Sequence, residues 1–221
     1  MSLLSRTTPA CALLLALLAV APGQAVAQRL WDPTGVPVAP IPPARPYLPV
    51  SVGEGGGAFV IWSDERIDPT ADAADAYVQR LLPTGLLAPG WPNGGIVLSD
   101  YPSIQYALAI ALDGTGGALI FWEDRRHLIS GGSGDIYGQR VTSSGAVAPG
   151  WLPGGSPICS APGHQVLSTG FDELQPSLAI SDGATGAFVV WMDYVNMPSF
   201  DIADVYAQHV TGAGTIAPGW P

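Results

Sequence analysis

Lysine is absent from the 221 residues, and all eight basic side chains are arginine. Against them stand 18 acids, for a formal net charge of −10 at pH 7. A chain with so few cations has little with which to displace the counterions of a polyanion, which argues against a nucleic-acid partner. Histidine is scarce too. His127, His164 and His209 are too scattered for any HxxxH or Cys/His zinc spacing. No glycine-rich phosphate loop is present, since GEGGGA at 53–58 opens a strand with no helix behind it to bind an anion.

Long apolar runs are missing everywhere but at the N-terminus. Residues 1–8 carry the single charge Arg6, residues 9–20 are dominated by Leu and Ala, and Ala25-Val26-Ala27 places small residues before Gln28. The run is shorter than the ~20 residues of a membrane span. Its charged, apolar and cleavage regions come in the order of a secretory signal peptide, expected over 1–27. The mature chain then begins near Gln28 without a membrane span, and is secreted, periplasmic or held at the cell surface. It keeps 7 Arg against 18 acids, or −11 formally. Of the two cysteines, Cys11 leaves with the signal. Cys159 then has no partner in the chain, so an exported domain must be held by its core instead of a disulfide. The surrounding SPICSAPG offers no basic neighbour to activate the thiol, and Cys159 reads as a small buried hydrophobe.

What the chain has in quantity is tryptophan, glycine and proline, arranged with a period. GAFVIW (57–62), GALIFW (117–122) and GAFVVW (186–191) are each followed by Asp two residues after the Trp. All seven Trp obey steps of 60, 60 and 69: Trp62, Trp122 and Trp191 in one series, and Trp31, Trp91, Trp151 and Trp220 in the other. The same steps relate Asp64, Asp124 and Asp193; Asp75, Asp135 and Asp204; Tyr77, Tyr137 and Tyr206; and Gln79, Gln139 and Gln208. Units therefore run over about 46–98, 99–158 and 159–221. A nine-residue insertion in the last falls between Gly155 and Pro176, and 28–45 is the end of a preceding unit and a linker.

Each unit reads as four short strands with turns between them. The first is LPVSV (48–52), LAIAL (108–112) or LAIS (178–181), and Asp113-Gly114 and Asp182-Gly183 supply hairpin turns after it. The second is the Trp phrase, apolar enough for burial on both faces. The third is DAYVQRL, DIYGQRV or DVYAQHV, and the last ends in APGW. Four antiparallel strands per sixty residues predict an all-β fold of propeller-type blades. Three blades plus a leading fragment make only a partial β-propeller, and the sequence stops in mid-phrase at Trp220-Pro221. Truncation is the preferred expectation, with a ring completed by several chains or an open array as alternatives.

The unit WxDxR, DIYxQR, Gly turn, GW resembles a repeat of secreted bacterial proteins of unknown function, taken as propeller blades and distantly similar to the sialidase-type propellers. The second unit matches best, through Trp122, Asp124, Arg126, Asp135, Ile136, Tyr137, Gln139 and Arg140. The third departs from it, with Val195 in place of Arg66 and Arg126, and His209 in place of Arg80 and Arg140. The resemblance implies that these repeat residues are architectural.

The most suggestive constellation is Asp64, Arg66 and Asp75, with Asp124, Arg126 and Asp135 as its copy. A structural role is expected: Arg66 pairing with Asp75 and Arg126 with Asp135, while Asp64 and Asp124 accept backbone N–H groups in the turn. Trp62, Trp91, Trp122, Trp151, Trp191, Tyr77, Tyr137, Asp193, Asp204 and Tyr206 are expected framework residues of the same kind. Candidate ligand contacts are the residues in which the units differ: Glu65, Asp68, Glu123, His127 and Tyr194. The first loop, with Asp64, Glu65, Asp68, Asp72 and Asp75, reads as a solvated acidic loop, and calcium is its weaker alternative because the DxDxDG spacing is missing. No metal and no catalytic residue is assigned. The expected function is a secreted or cell-surface module that binds or scaffolds an extracellular protein or glycan. A sialidase-like glycoside hydrolase is the alternative, but the SxDxGxTW box is absent and the third arginine of a carboxylate-binding trio is lost.

Overall fold

The computed structural model describes residues 35–39, 47–67, 73–127, 134–166, 179–194 and 204–221. The expected signal peptide, Trp31, Asp68, Asp72, Val195 and most of the insertion lie outside them. The described residues are all-β, with no helix among them, and so none long and apolar enough to cross a membrane. Three antiparallel sheets follow one another along the chain. The first holds β1 (Tyr47–Glu54), β2 (Gly57–Asp64), β3 (Asp75–Leu81) and β4 (Ile96–Ser99) in that order. The middle sheet repeats it with β5 (Gln105–Leu112), β6 (Ala118–Asp124), β7 (Asp135–Val141) and β8 (Ser156–Cys159). In the last, β9 (Gln165–Val166) and β10 (Ala179–Ser181) both pair with β11 (Ala187–Asp193), which pairs with β12 (Asp204–Val210).

β9 and β10 are two pieces of one first strand. Gln165 faces Asp193 as Gln105 faces Asp124, and Ala179 faces Val189 as Ile110 faces Ile120. In β5 the register slips by one residue between Ala107 and Ala109, and β1 slips at the matching place between Tyr47 and Val50. The nine extra residues of the last unit therefore enter where the other two units carry a β-bulge, a place where the ladder is already interrupted.

The expected fourth strand is corrected. The segment that ends in APGW does not form one: Leu87, Val147 and Ile216 each make a single bridge to the third strand. The chain then turns away, Ala88 N–H bonding to Arg80 O and Trp91 N–H to Ala88 O. A Pro within the segment and a positive φ at Gly90 and Gly150 prevent a regular ladder there. The fourth strand is instead the tail after the Trp, IVLS or SPIC, on the far edge of β3 or β7.

The sheets stack face to face, the middle one covered on both sides. Phe59, Ile61 and Val78 of the first sheet pack with Ile110, Ile120 and Trp122 of the middle sheet. Leu119, Phe121 and Ile136 on its other face pack with Ala179, Val189 and Trp191 of the last. The double burial expected of the second strand is complete in β6, where all seven residues are buried, whereas β11 alternates. First strands lie side by side, β1 against β5 and β5 against β10.

The turns before the second strand differ between units. Gly55 and Gly56 alone join β1 to β2, both at positive φ, whereas Asp113 and Asp182 organise five-residue loops. The buried Asp113 carboxylate accepts from Thr115 N–H, Thr115 Oγ1 and Gly117 N–H, each at 2.8 Å, and from Arg140 Nε at 2.9 Å. Burial pushes this carboxyl up, but the bonds from Thr115, Gly117 and Arg140 outweigh it and hold the group below its ordinary range. The stabilisation is thus fully present above the unfolded value near 4 and lost as pH falls through the lower folded value. In urea unfolding between pH 7 and pH 2, the wild type should lose stability below about pH 4 more steeply than Asp113→Asn. Parallel curves for the two proteins would show that the turn carboxylate does not contribute.

Candidate functional site

The strand period decides which side chains meet at the ends of the second strands. Residues two apart point the same way, so Trp62 and Asp64 share a face, as do Trp122 and Asp124. Trp62 Nε1 donates to Asp64 Oδ2 at 2.7 Å, and Trp122 Nε1 to Asp124 Oδ2 at 2.9 Å. Both carboxylates are fully buried. The chain then turns back so that Arg66 and Arg126 close on the same acids. Arg126 donates its backbone N–H and Nε to Asp124 Oδ1 at 3.0 and 2.8 Å, and Nη2 to Oδ2 at 2.6 Å. Arg66 makes the same fork on Asp64. A bidentate guanidinium is the cation best matched to a buried carboxylate.

The arginines also fasten the tail. Arg66 Nη1 donates to Gly94 O at 2.6 Å and Arg126 Nη2 to Gly154 O at 2.7 Å. Each guanidinium lies over the tyrosine of the third strand, 4.0 Å from the Tyr77 or Tyr137 ring centre. Arg126 also lies 3.9 Å from Tyr101. Burial pushes both the Tyr77 and Tyr137 phenols up, so they stay neutral at any physiological pH. The expected pairing of Arg66 with Asp75 and of Arg126 with Asp135 is therefore corrected: each arginine takes the acid two residues before it, which the strand end presents directly. Asp135 instead meets His127 Nδ1 at 2.7 Å. The backbone bond expected at Asp64 and Asp124 is present, from Arg66 and Arg126 N–H.

In the last unit Trp191 and Asp193 occupy the same places, and Trp191 stacks on Tyr206 with ring centres 6.1 Å apart. Trp191 Nε1 finds no hydrogen-bond partner among the described residues. Of the framework residues expected in this unit, Asp204 is exposed and Tyr206 is 44% exposed, where Tyr77 is 3%.

The unit-specific candidates fall into two groups. Glu123 is buried, and Arg125 Nε holds it at 2.6 Å. His164, from the start of the last unit, brings Nε2 to 3.7 Å from Glu123 Oε1, accepts Gly134 N–H on Nδ1 at 2.8 Å, and gives its carbonyl to Tyr194 N–H. Glu123 and Tyr194 thus meet around His164 at the junction of the middle and last sheets. Glu65 is half-buried and His127 exposed on separate loops, and Asp68 is outside the described residues. Arg125, His164 and Tyr101 are participants that the sequence reading missed. The carbonyls of Gly94 and Gly154 were legible in principle, since they too stand sixty apart.

Burial pushes the Cys159 thiol up, which keeps it neutral and unreactive. Among the described residues no group of three His, Cys, Asp or Glu side chains could hold a metal ion. Fold and site together define an all-β repeat protein of stacked antiparallel sheets whose recurrent Trp, Asp and Arg form an internal joint. The chain matches no protein-family model, and no curated protein matches it.

Proposed function

We propose that the chain is a propeller-type repeat module, exported through its signal peptide, that binds or scaffolds an extracellular protein or glycan. One observation carries this reading: the residues the units share are consumed inside the framework. Trp122, Asp124 and Arg126 bond to one another and to the tail carbonyl of Gly154, which leaves them no role at a ligand. Recognition then belongs to the residues that differ, above all Arg125, His164 and Tyr194, which stay partly exposed around the buried Glu123. Face-to-face stacking with the first strands side by side supports the propeller assignment, because blades around an axis place their inner strands that way. Units of about 46–98, 99–158 and 159–221 are its blades. The sialidase-like alternative gains no support, since Arg66 and Arg126 are each engaged by their own Asp and tyrosine.

A panel of fluorogenic glycosides, a sialoside included, tests the reading. No turnover above buffer is expected. Turnover that Glu123→Gln and Tyr194→Phe both abolish would replace the binding module with an enzyme.

A further inference from the structure

One of the two junctions between stacked sheets carries a titratable side chain where the other carries an aliphatic one. From this we infer a proton-operated clasp between the middle and last sheets, made by His164 on Gly134.

The junctions share a backbone pattern. Gln105 N–H donates to Ala74 O at 2.6 Å, and Gln165 N–H donates to Gly134 O at 2.9 Å. Ile104 O accepts Arg125 N–H at 3.0 Å, and His164 O accepts Tyr194 N–H at 3.1 Å. The side chains differ together. Ser63, Ala74 and Ile104 of the first junction have Glu123, Gly134 and His164 as their repeat equivalents at the second. The Ile104 side chain has no acceptor, whereas the His164 ring turns Nδ1 onto Gly134 N–H at 2.8 Å. Glycine is what lets the ring sit there. A Cβ on Gly134 would lie 2.8 Å from His164 Cε1 and 3.2 Å from Glu123 Oε1. Gly134 is therefore tied to the start of the last sheet twice, by its carbonyl to backbone and by its N–H to the imidazole.

The second tie requires a lone pair on Nδ1, so the neutral ring carries its proton on Nε2. Protonation places a hydrogen on both nitrogens. Two donors then face each other across the tie, and the bond from Gly134 breaks. Glu123 offers the charged ring a counter-charge, because its buried Oε1 lies 3.7 Å from His164 Nε2. Among the described residues, the other ionisable groups at this junction come from every neighbouring strand. Arg125 holds Glu123 at 2.6 Å, Asp135 follows Gly134 with His127 on it at 2.7 Å, and Asp193 and Tyr194 stand opposite β9. Cys159 of β8 stays neutral, its thiol pushed up by burial.

The clasp thus has two states: neutral His164 on Gly134, and charged His164 beside Glu123 with Gly134 held by its carbonyl alone. Gly134 immediately precedes β7, so the entry of that strand is what the second state loosens. Histidine is the side chain whose charge changes between about pH 5 and 8, which makes mild acid the trigger. On the binding-module reading, Arg125, His164 and Tyr194 then offer a ligand a different surface in acid.

Amide exchange at Gly134 in the isotope-labelled chain, corrected for the intrinsic effect of pH, reads the clasp and needs no ligand. Protection should fall about fivefold or more between about pH 8 and pH 5, the effect of losing one net hydrogen bond, while the β6 amides keep theirs. His164→Asn keeps an acceptor and cannot charge, so it should hold one level of protection across the range. His127→Gln should leave the wild-type fall in place. Constant protection in the wild type, a fall that persists in His164→Asn, or one that vanishes in His127→Gln overturns the clasp. Should His164→Asn fail to fold, the imidazole nitrogen resonances of the wild type decide: the Nε2–H tautomer at the alkaline end supports the clasp, and the Nδ1–H tautomer overturns it. Its failure would leave the binding-module reading standing.

Discussion

Replacing Trp122 with alanine should cost about 3–5 kcal/mol, the range for truncating a large buried aromatic. Trp122 is among the largest fully buried side chains of the chain and belongs to the core that joins the first and middle sheets. Its surroundings cannot collapse into the space left behind. Gly155, held at positive φ, places backbone against the indole so closely that even a Cβ there would meet the ring, and β6 is fixed by ladders on both sides. The lost hydrogen bond adds to the lost volume, because Asp124 Oδ2 gives up one of its donors. Set against a domain stability of roughly 5–15 kcal/mol, such a loss brings the protein near its threshold. Urea unfolding of the Trp122→Ala protein reads it directly, and a change under about 1 kcal/mol would mean that Trp122 is not the packing element its position requires.

Removal of Asp124 should be as costly for a different reason. Asp124→Ala leaves the Arg126 guanidinium, 11% exposed, with its charge uncompensated between Tyr101 and Tyr137. Trp122 Nε1 is left at the same time without its acceptor. Breaking a buried ion pair by deleting one partner typically costs about 3–5 kcal/mol, because the remaining charge stays desolvated. The guanidinium stays protonated even without a partner, because arginine is always charged in proteins, so the cation cannot shed its proton to escape the cost. Asp124→Asn should recover part of the loss by keeping an acceptor for the indole.

The period was legible because each unit solves the same packing problem with the same side chains. Trp62, Trp122 and Trp191 fall at equivalent strand ends, and the third strands begin at Asp75, Asp135 and Asp204 as their sequences indicate. The fourth strand was misplaced because LLAPGW and AVAPGW are apolar enough to resemble one. Their apolar character serves burial of Ala88, Trp91, Ala148 and Trp151 without a ladder, and burial alone does not distinguish a strand from a packed turn. The Asp and Arg partnership was within reach of the sequence, since Trp62, Asp64 and Arg66 are spaced by two and the first pair must share a face. Spacing between strands suggested Asp75 instead, but the local turn makes the nearer acid available first. The meeting of Glu123 with His164 was beyond any local rule: they are far apart in the chain, and only the stacking of one sheet on the next brings them together.

The claim at the centre of this account is that the Trp-Asp phrase is one structural joint, complete where an arginine follows and incomplete where Val195 stands instead. Unfolding free energies of Asp124→Ala and Asp193→Ala, each against the wild type, test it most directly. Asp124→Ala should lose at least about 2 kcal/mol more than Asp193→Ala, because it strands the Arg126 guanidinium and the Trp122 indole, whereas Trp191 Nε1 has no bond to Asp193 to lose. Equal losses at the two positions would contradict the joint.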